Sequence, residues 1–240
     1  MNIAVPPIAI DEALGTIVLA LADDEFVVGH RHSEWLGLSP FLEEDLAMAS
    51  IAQDELGHAR ALYALLWPEW TEREASLPLR APSAWRCCEL VEFDAKPWER
   101  HLVRHVLYDV TERHRWQALV DADLAALAAV AARALQEERW HERHATDLLR
   151  RLAPTEAAKL QPHLNDLWPM VSALTDGLRP AEAKTAIDDL SIVLASASLT
   201  VPQIDPVREL RPDRTKRTAA FVEVHESLTE VSLVDPHASW

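Results

Sequence analysis

Two Glu-x-x-His pairs, Glu55/His58 and Glu138/His141, are the residues of this chain best suited to chemistry. Residues three apart share one face of a helix, so each pair can point at a single ion. One such pair is weak evidence in a chain with eleven His, so the information lies in the setting. A carboxylate-bridged di-metal site inside a helical bundle takes one carboxylate from each of two helices. It takes a Glu-x-x-His from each of the other two. Glu34 precedes the first pair and Asp109 the second, so the chain runs carboxylate, Glu-x-x-His, carboxylate, Glu-x-x-His. Four carboxylates offset the charge of two ferrous ions, two imidazoles add nitrogen ligands, and open positions accept dioxygen. The candidate ligands are therefore Glu34, Glu55, His58, Asp109, Glu138 and His141.

Each residue also has a plainer reading. Glu34 can be a surface residue at a helix end, Asp109 a buried hydrogen-bonded acid, and the two His ordinary core residues. Glu137, Glu142 and His144 offer alternative ligands nearby, and Asp54 and Arg60 are candidates to support the ligands from outside. Trp35, Trp116 and Trp140 sit near proposed ligands; they suit an aromatic pocket or, more commonly, packing.

The elements that must position these residues are helices. Only five residues are Gly, and Ala and Leu are abundant, which favours helix because these residues lose little freedom in it. Met1 to Pro7 reads as a loop, and a helix is expected from about Ile8 to Leu36, with Leu14, Ile17, Val18 and Leu21 on one stripe. Ser39 and Pro40 suit the cap and first position of a second helix ending near Trp67. Residues Pro68 to Pro97 are broken by proline, with one short helix expected around Trp85 to Glu92. A third helix is expected from Pro97 to Val120 and a fourth from Asp121 to Leu152, stopping before Pro154. Thr155 to Leu174, Ala181 to Ser198 and Thr215 to Leu233 read as additional C-terminal helices, the last two joined by the proline-rich Val201 to Pro212. Two helix pairs joined by a longer crossover describe an all-α, ferritin-like four-helix bundle. The expectation is a single domain over 1–240, with its core bundle at about 8–152 and extra helices at about 155–233.

The formal net charge of −16 repels phosphate backbones, so free nucleic acid is not an expected partner. Cys87 and Cys88 are sequence neighbours with no third Cys to pair with, which suits a reducing compartment. The N-terminus lacks the basic region of a secretory signal, and no apolar run approaches the ~20 residues that cross a bilayer. The expected location is the cytoplasm.

Leu21 to Leu66, LADDEFVVGHRHSEWLGLSPFLEEDLAMASIAQDELGHARALYALL, resembles the C subunit of the bacterial phenylacetyl-CoA ring epoxidases, in the phenylacetic acid catabolic protein family. Val106 to Val110 (VLYDV), Gln136 to His144 (QEERWHERH) and the tail Asp235 to Trp240 (DPHASW) extend the resemblance over most of the chain. It implies a ferritin-like subunit of a multicomponent di-iron monooxygenase that epoxidises the ring of an acyl-CoA substrate. The implied partners are a homologous catalytic A subunit, small accessory subunits and a flavin/iron–sulfur reductase. C subunits of this family are usually structural and have lost their metal ligands. Here His32-Ser33-Glu34, Gln53 to His58, Asp109 and Glu137 to His141 are similar to the ligand motifs of the A subunit, which implies that a di-iron site is retained. A stand-alone di-iron oxidase or peroxidase, or a metal-free scaffold, are the alternatives.

Overall fold

A computed structural model describes residues 10–67, 69–70, 74–94, 96–202 and 214–234. The expected opening loop, most of the proline-rich linker and the tail from Asp235 lie outside the described residues. Helix α1 is Glu12–Ser33 and α2 is Leu42–Leu66; the two pack as a hairpin. The short α3 is Glu89–Glu92, preceded by 3-10 turns at Glu74–Leu79 and Pro82–Ala84. A second hairpin follows, α4 at Trp98–Val120 and α5 at Ala125–Leu167. A 3-10 segment, Trp168–Thr175, leads to α6 at Pro180–Ser196, and α7 is Ala220–Val234. The fold is all-α, a four-helix bundle of α1, α2, α4 and α5 with further helices packed around it. No helix among the described residues is long and apolar enough to cross a membrane.

Local chemistry explains the ends. Asp11 caps α1 by accepting from the Leu14 amide at 2.8 Å. The restart after α1 differs from the expectation. The Ser39 hydroxyl donates back to the Trp35 carbonyl, so it caps no helix, and Phe41 takes the cap position without a side-chain bond. Asp45 accepts instead from the amide of Gly37, whose φ of +77° suits glycine.

The larger departure is α5, which runs straight through Pro154 and Pro162. A proline inside a helix removes a hydrogen bond and costs about 3 kcal/mol. The apolar stripe nevertheless continues as Leu149, Ala153, Leu160, Leu164 and Leu167, all buried. Each leucine buried contributes roughly 1.5–3 kcal/mol. Both prolines face solvent, where water can satisfy the freed carbonyls.

The bundle has an apolar core at each end and a polar belt between. At one end Val18, Leu21, Leu62, Tyr63, Leu119 and Leu127 pack together. At the other, Val103, Val106, Leu107, Leu148 and Leu149 do. Between them Glu25, Glu55, His58, Asp109, Glu112, Glu138 and His141 are buried. Burying so many ionisable groups is costly unless something compensates them, which directs attention to this belt.

Candidate metal centre

The two Glu-x-x-His pairs face each other across the bundle, and their contacts cross. Glu55 places one oxygen 3.5 Å from His58 Nδ1 and the other 3.5 Å from His141 Nδ1. Glu138 does the same from the opposite helix, at 3.1 Å from His58 and 3.3 Å from His141. Both carboxylates thus span the two imidazoles, with both Nδ1 atoms turned inward. The outer nitrogens are held by the acid preceding the opposite Glu. His58 Nε2 lies 2.8 Å from Glu137, and His141 Nε2 lies 3.2 Å from Asp54. A carboxylate on the outer nitrogen fixes the ring and leaves the inner nitrogen free for an ion.

The carboxylate on α1 is Glu25. Glu25, Glu55, His58 and Glu138 each offer one ligand atom, all within 4.8 Å of one another. Glu25 also accepts from Tyr108 at 3.0 Å and lies 3.3 Å from His58 Nδ1. Glu34, the residue expected from α1, lies outside this group. It caps the C-terminal end of α1, and its two oxygens accept from Arg31 at 2.8 and 3.1 Å. The reason is the level along the helix. In an antiparallel hairpin, residues equally far from the turn share a level. Glu25 and Glu55 are symmetric about the turn near Pro40, as Asp109 and Glu138 are about the turn at residues 121–124. Glu34 lies nine residues further along α1 than Glu25, about 13 Å at 1.5 Å per residue. This counting rule was the available signal for Glu25.

Asp109 is fully buried beside the group, 3.0 Å from His105 Nδ1. Of the alternatives, Glu137 supports His58, Glu142 pairs with Arg113 at 2.6 Å, and His144 lies 2.9 Å from Glu44. Asp54 occupies the supporting position expected of it. Arg60 does not; it pairs with Glu74 at 3.1 Å on the surface. Glu112, not anticipated from the sequence, lies against Glu25 and accepts from Trp116 Nε1 at 3.1 Å, while the Trp116 ring packs on His58 at 5.4 Å. Trp35 packs away from these residues against Trp98 and His101, and Trp140 is 67% exposed. Packing accounts for Trp35 and Trp116.

The electrostatics are those of an acid cluster that its two imidazoles compensate only in part. Burial and then the charge of Glu55 raise Glu25 to about 8. Burial, followed by neighbouring carboxylates, also raises Asp109 and Glu112 well above the usual range. For Glu138 burial is outweighed by His141 and His58, which hold it at about 2. Burial disfavours the charged imidazole of His58 and His141, yet the surrounding carboxylates raise both.

This donor set fits divalent iron. Both oxygens of Glu55, Glu138 and Asp109, and Nδ1 of His141, are buried and make no hydrogen bond of good geometry, although imidazole and carboxylate atoms face each other at 3.0–3.5 Å. Unsatisfied buried groups of this kind call for an ion or another explanation. Carboxylate oxygen and imidazole nitrogen suit iron, manganese or zinc. The close approach of α1 and α2 brings the acids together: a Cβ on Gly29 would lie 3.0 Å from Glu55 Cβ and 3.2 Å from the Ala52 carbonyl.

Residues 3–240 match the phenylacetic acid catabolic protein family. The chain belongs to that family. It is 28% identical over 228 residues to the C subunit of the 1,2-phenylacetyl-CoA epoxidase of Escherichia coli, a match covering 93% of this chain and 84% of that one. The family resemblance and the all-α bundle expected from the sequence therefore stand, and a buried acid–histidine cluster occupies the centre of the bundle.

Proposed function

We propose that this chain is a subunit of a multicomponent monooxygenase of the 1,2-phenylacetyl-CoA epoxidase type, acting in aerobic phenylacetate catabolism, and that it holds a di-iron centre. The ligands are Glu25, Glu55, His58, Glu138 and His141, with Asp109 beside them as the sixth. The observation that carries the reading is the crossed geometry, in which Glu55 and Glu138 each span both inward-facing imidazoles. The family match supplies the reaction class.

The chemistry that a bound di-iron pair supplies is dioxygen reduction coupled to transfer of one oxygen atom to an arene. The chain's own residues orient and shield. Glu137 and Asp54 lock the outer nitrogens of the two His. Tyr108 holds one Glu25 oxygen through its hydroxyl. Trp116 closes one side of His58 and fixes Glu112. The apolar cores on either side exclude water from the belt. The partners under this reading are a homologous catalytic subunit, small accessory subunits and a flavin/iron–sulfur reductase, in the cytoplasm, with an acyl-CoA as the substrate of the assembly.

Metal quantification tests the centre. Protein produced with iron should hold close to two ions per chain, falling sharply in Glu55→Ala and His141→Ala. Well under one ion in the wild type overturns the di-iron reading. Co-purification with a catalytic subunit tests the assembly; a chain that stays alone in the presence of that subunit overturns it.

A further inference from the structure

A groove of about 420 Å³ opens between α2 and α5 directly over the supporting acids. Asp54, Gly57, His58, Ala61, Arg133 and Glu137 are among its walls. At its base the outer nitrogen of His58 meets Glu137 at 2.8 Å, and the part-exposed Asp54 holds His141. Behind those two rings lie the buried carboxylate oxygens of Glu55 and Glu138. At the rim Arg133 is 82% exposed and reaches Glu137 at 3.5 Å.

Gly57 is the informative residue. It lies in the middle of α2 and is exposed, and a Cβ built there meets nothing within 4 Å. No packing demands a glycine at this position, although glycine inside a helix is destabilising relative to alanine. Gly29 is the opposite case, since a Cβ there collides with α2. What a side chain at Gly57 would do is fill the groove.

We infer that this groove is the access route by which a divalent cation reaches the buried centre, drawn in by Asp54 and Glu137 and admitted past the His58 ring. The inference rests on the metal-centre reading above. The acids at the base attract a cation, and the strongly acidic chain raises the local concentration of cations around it. The Arg133 guanidinium at the rim opposes access and holds one of the receiving carboxylates. Asp54 and Glu137 each touch both the groove and a ligand imidazole, so an ion passes from outer acid to inner acid across one ring.

The test is the rate of Co(II) uptake by the metal-stripped full-length chain, followed in a stopped-flow instrument by the visible absorption of ligated Co(II). Gly57→Phe fills the groove, so uptake then waits on local opening of the bundle and slows by on the order of tenfold or more. Its final stoichiometry and spectrum stay those of the wild type. Gly57→Ala adds one methyl group to the groove and slows uptake far less than Gly57→Phe. Arg133→Glu speeds uptake by roughly threefold or more at low salt, and the gain fades as ionic strength rises. Wild-type uptake in Gly57→Phe with its melting temperature retained overturns the route. If that variant does not fold, Arg133→Glu decides, and an unchanged rate at low salt overturns the route. A wild-type chain that takes up no Co(II) overturns the metal reading and the route with it.

Discussion

Three consecutive acids on α1 are all fully buried, and their surroundings differ. Asp24 accepts from Arg115 at 2.8 Å, Arg214 at 2.7 Å and the Cys88 amide. Burial raises its carboxyl, but Arg214 and Arg115 outweigh that and hold it low. Asp23 accepts from Arg80 at 2.6 Å, the Arg86 amide at 2.6 Å and Tyr63, yet burial outweighs them and leaves its carboxyl raised. Glu25, one residue further on, faces Glu55 and Glu112 and rises to about 8. The first two acids are paired with arginines encoded in the chain, although only at Asp24 does the pairing outweigh burial. The third has His58 beside it together with the further carboxylates Glu55 and Glu112. The difference separates a buried acid that ties elements together from one that waits for a cation from outside.

Breaking the arginine-clamped side should have the largest effect. Asp24→Asn leaves Arg115 buried without a carboxylate and Arg214 with Asp176 only, and should cost about 3–5 kcal/mol, read by urea unfolding. Glu55→Gln removes one of several clustered acids and should leave the metal-free chain within about 1 kcal/mol of the wild type. A loss from Glu55→Gln as large as that from Asp24→Asn would erase the distinction. Metal addition sharpens it in the other direction. Free Co(II) at a thousand times its dissociation constant should stabilise the wild type by about 4 kcal/mol. Thermal melts should show that Asp24→Asn keeps this gain, that Glu55→Gln loses it, and that a chelator reverses it.

The comparison also explains what could be read from sequence. The helices and the two Glu-x-x-His pairs were legible because periodicity and i,i+3 spacing are local properties. The continuation of α5 through Pro154 was not, because the local penalty is overridden by leucines that pack against distant helices. Glu25 was hidden by its neighbours: Asp23-Asp24-Glu25 reads as a solvated acidic run, and which of the three faces the centre depends on the level set by the turn. Arg214, which completes the Asp24 clamp from nearly two hundred residues away, has no signature in the local sequence. Asp54 was legible as a support because it abuts Glu55, while its pairing with His141 on the opposite hairpin is a tertiary fact.

The pH dependence of the metal-free chain should differ between the two sides. Glu25, Asp109 and Glu112 have raised values in the folded state, as do His58 and His141. Above about pH 6.5 the buried His32, His101 and His105 and the half-buried His144, whose values burial lowers, are neutral in both states, so up to about pH 8 the folded chain holds more protons than the unfolded one and stability falls as pH rises. Melting temperatures of the metal-free protein should drop by several degrees from pH 7 to pH 8.5. Bound metal should weaken or reverse the trend, since the ligands bind it deprotonated. Asp24 has the opposite sign: its low value contributes stability above the usual carboxylate range that is lost as pH falls. Removing it should flatten the acid side of the profile and leave the alkaline side in place.

The smallest effect separates the two glycines that flank the centre. Gly29→Ala drives a Cβ to 3.0 Å from Glu55 Cβ and 3.2 Å from a backbone oxygen, and such overpacking costs about 1–3 kcal/mol. Gly57→Ala meets open space and should stabilise the chain by about 0.5–1 kcal/mol, measured as a rise in unfolding midpoint. The sign matters more than the size. Gly29 is required where an acid must come close to a neighbouring helix, so the fold itself explains it. A stabilising Gly57→Ala would mean that the fold gains nothing from that glycine, leaving the open groove over His58 as the reason for it. A destabilising one would return Gly57 to the fold and remove the groove's strongest support.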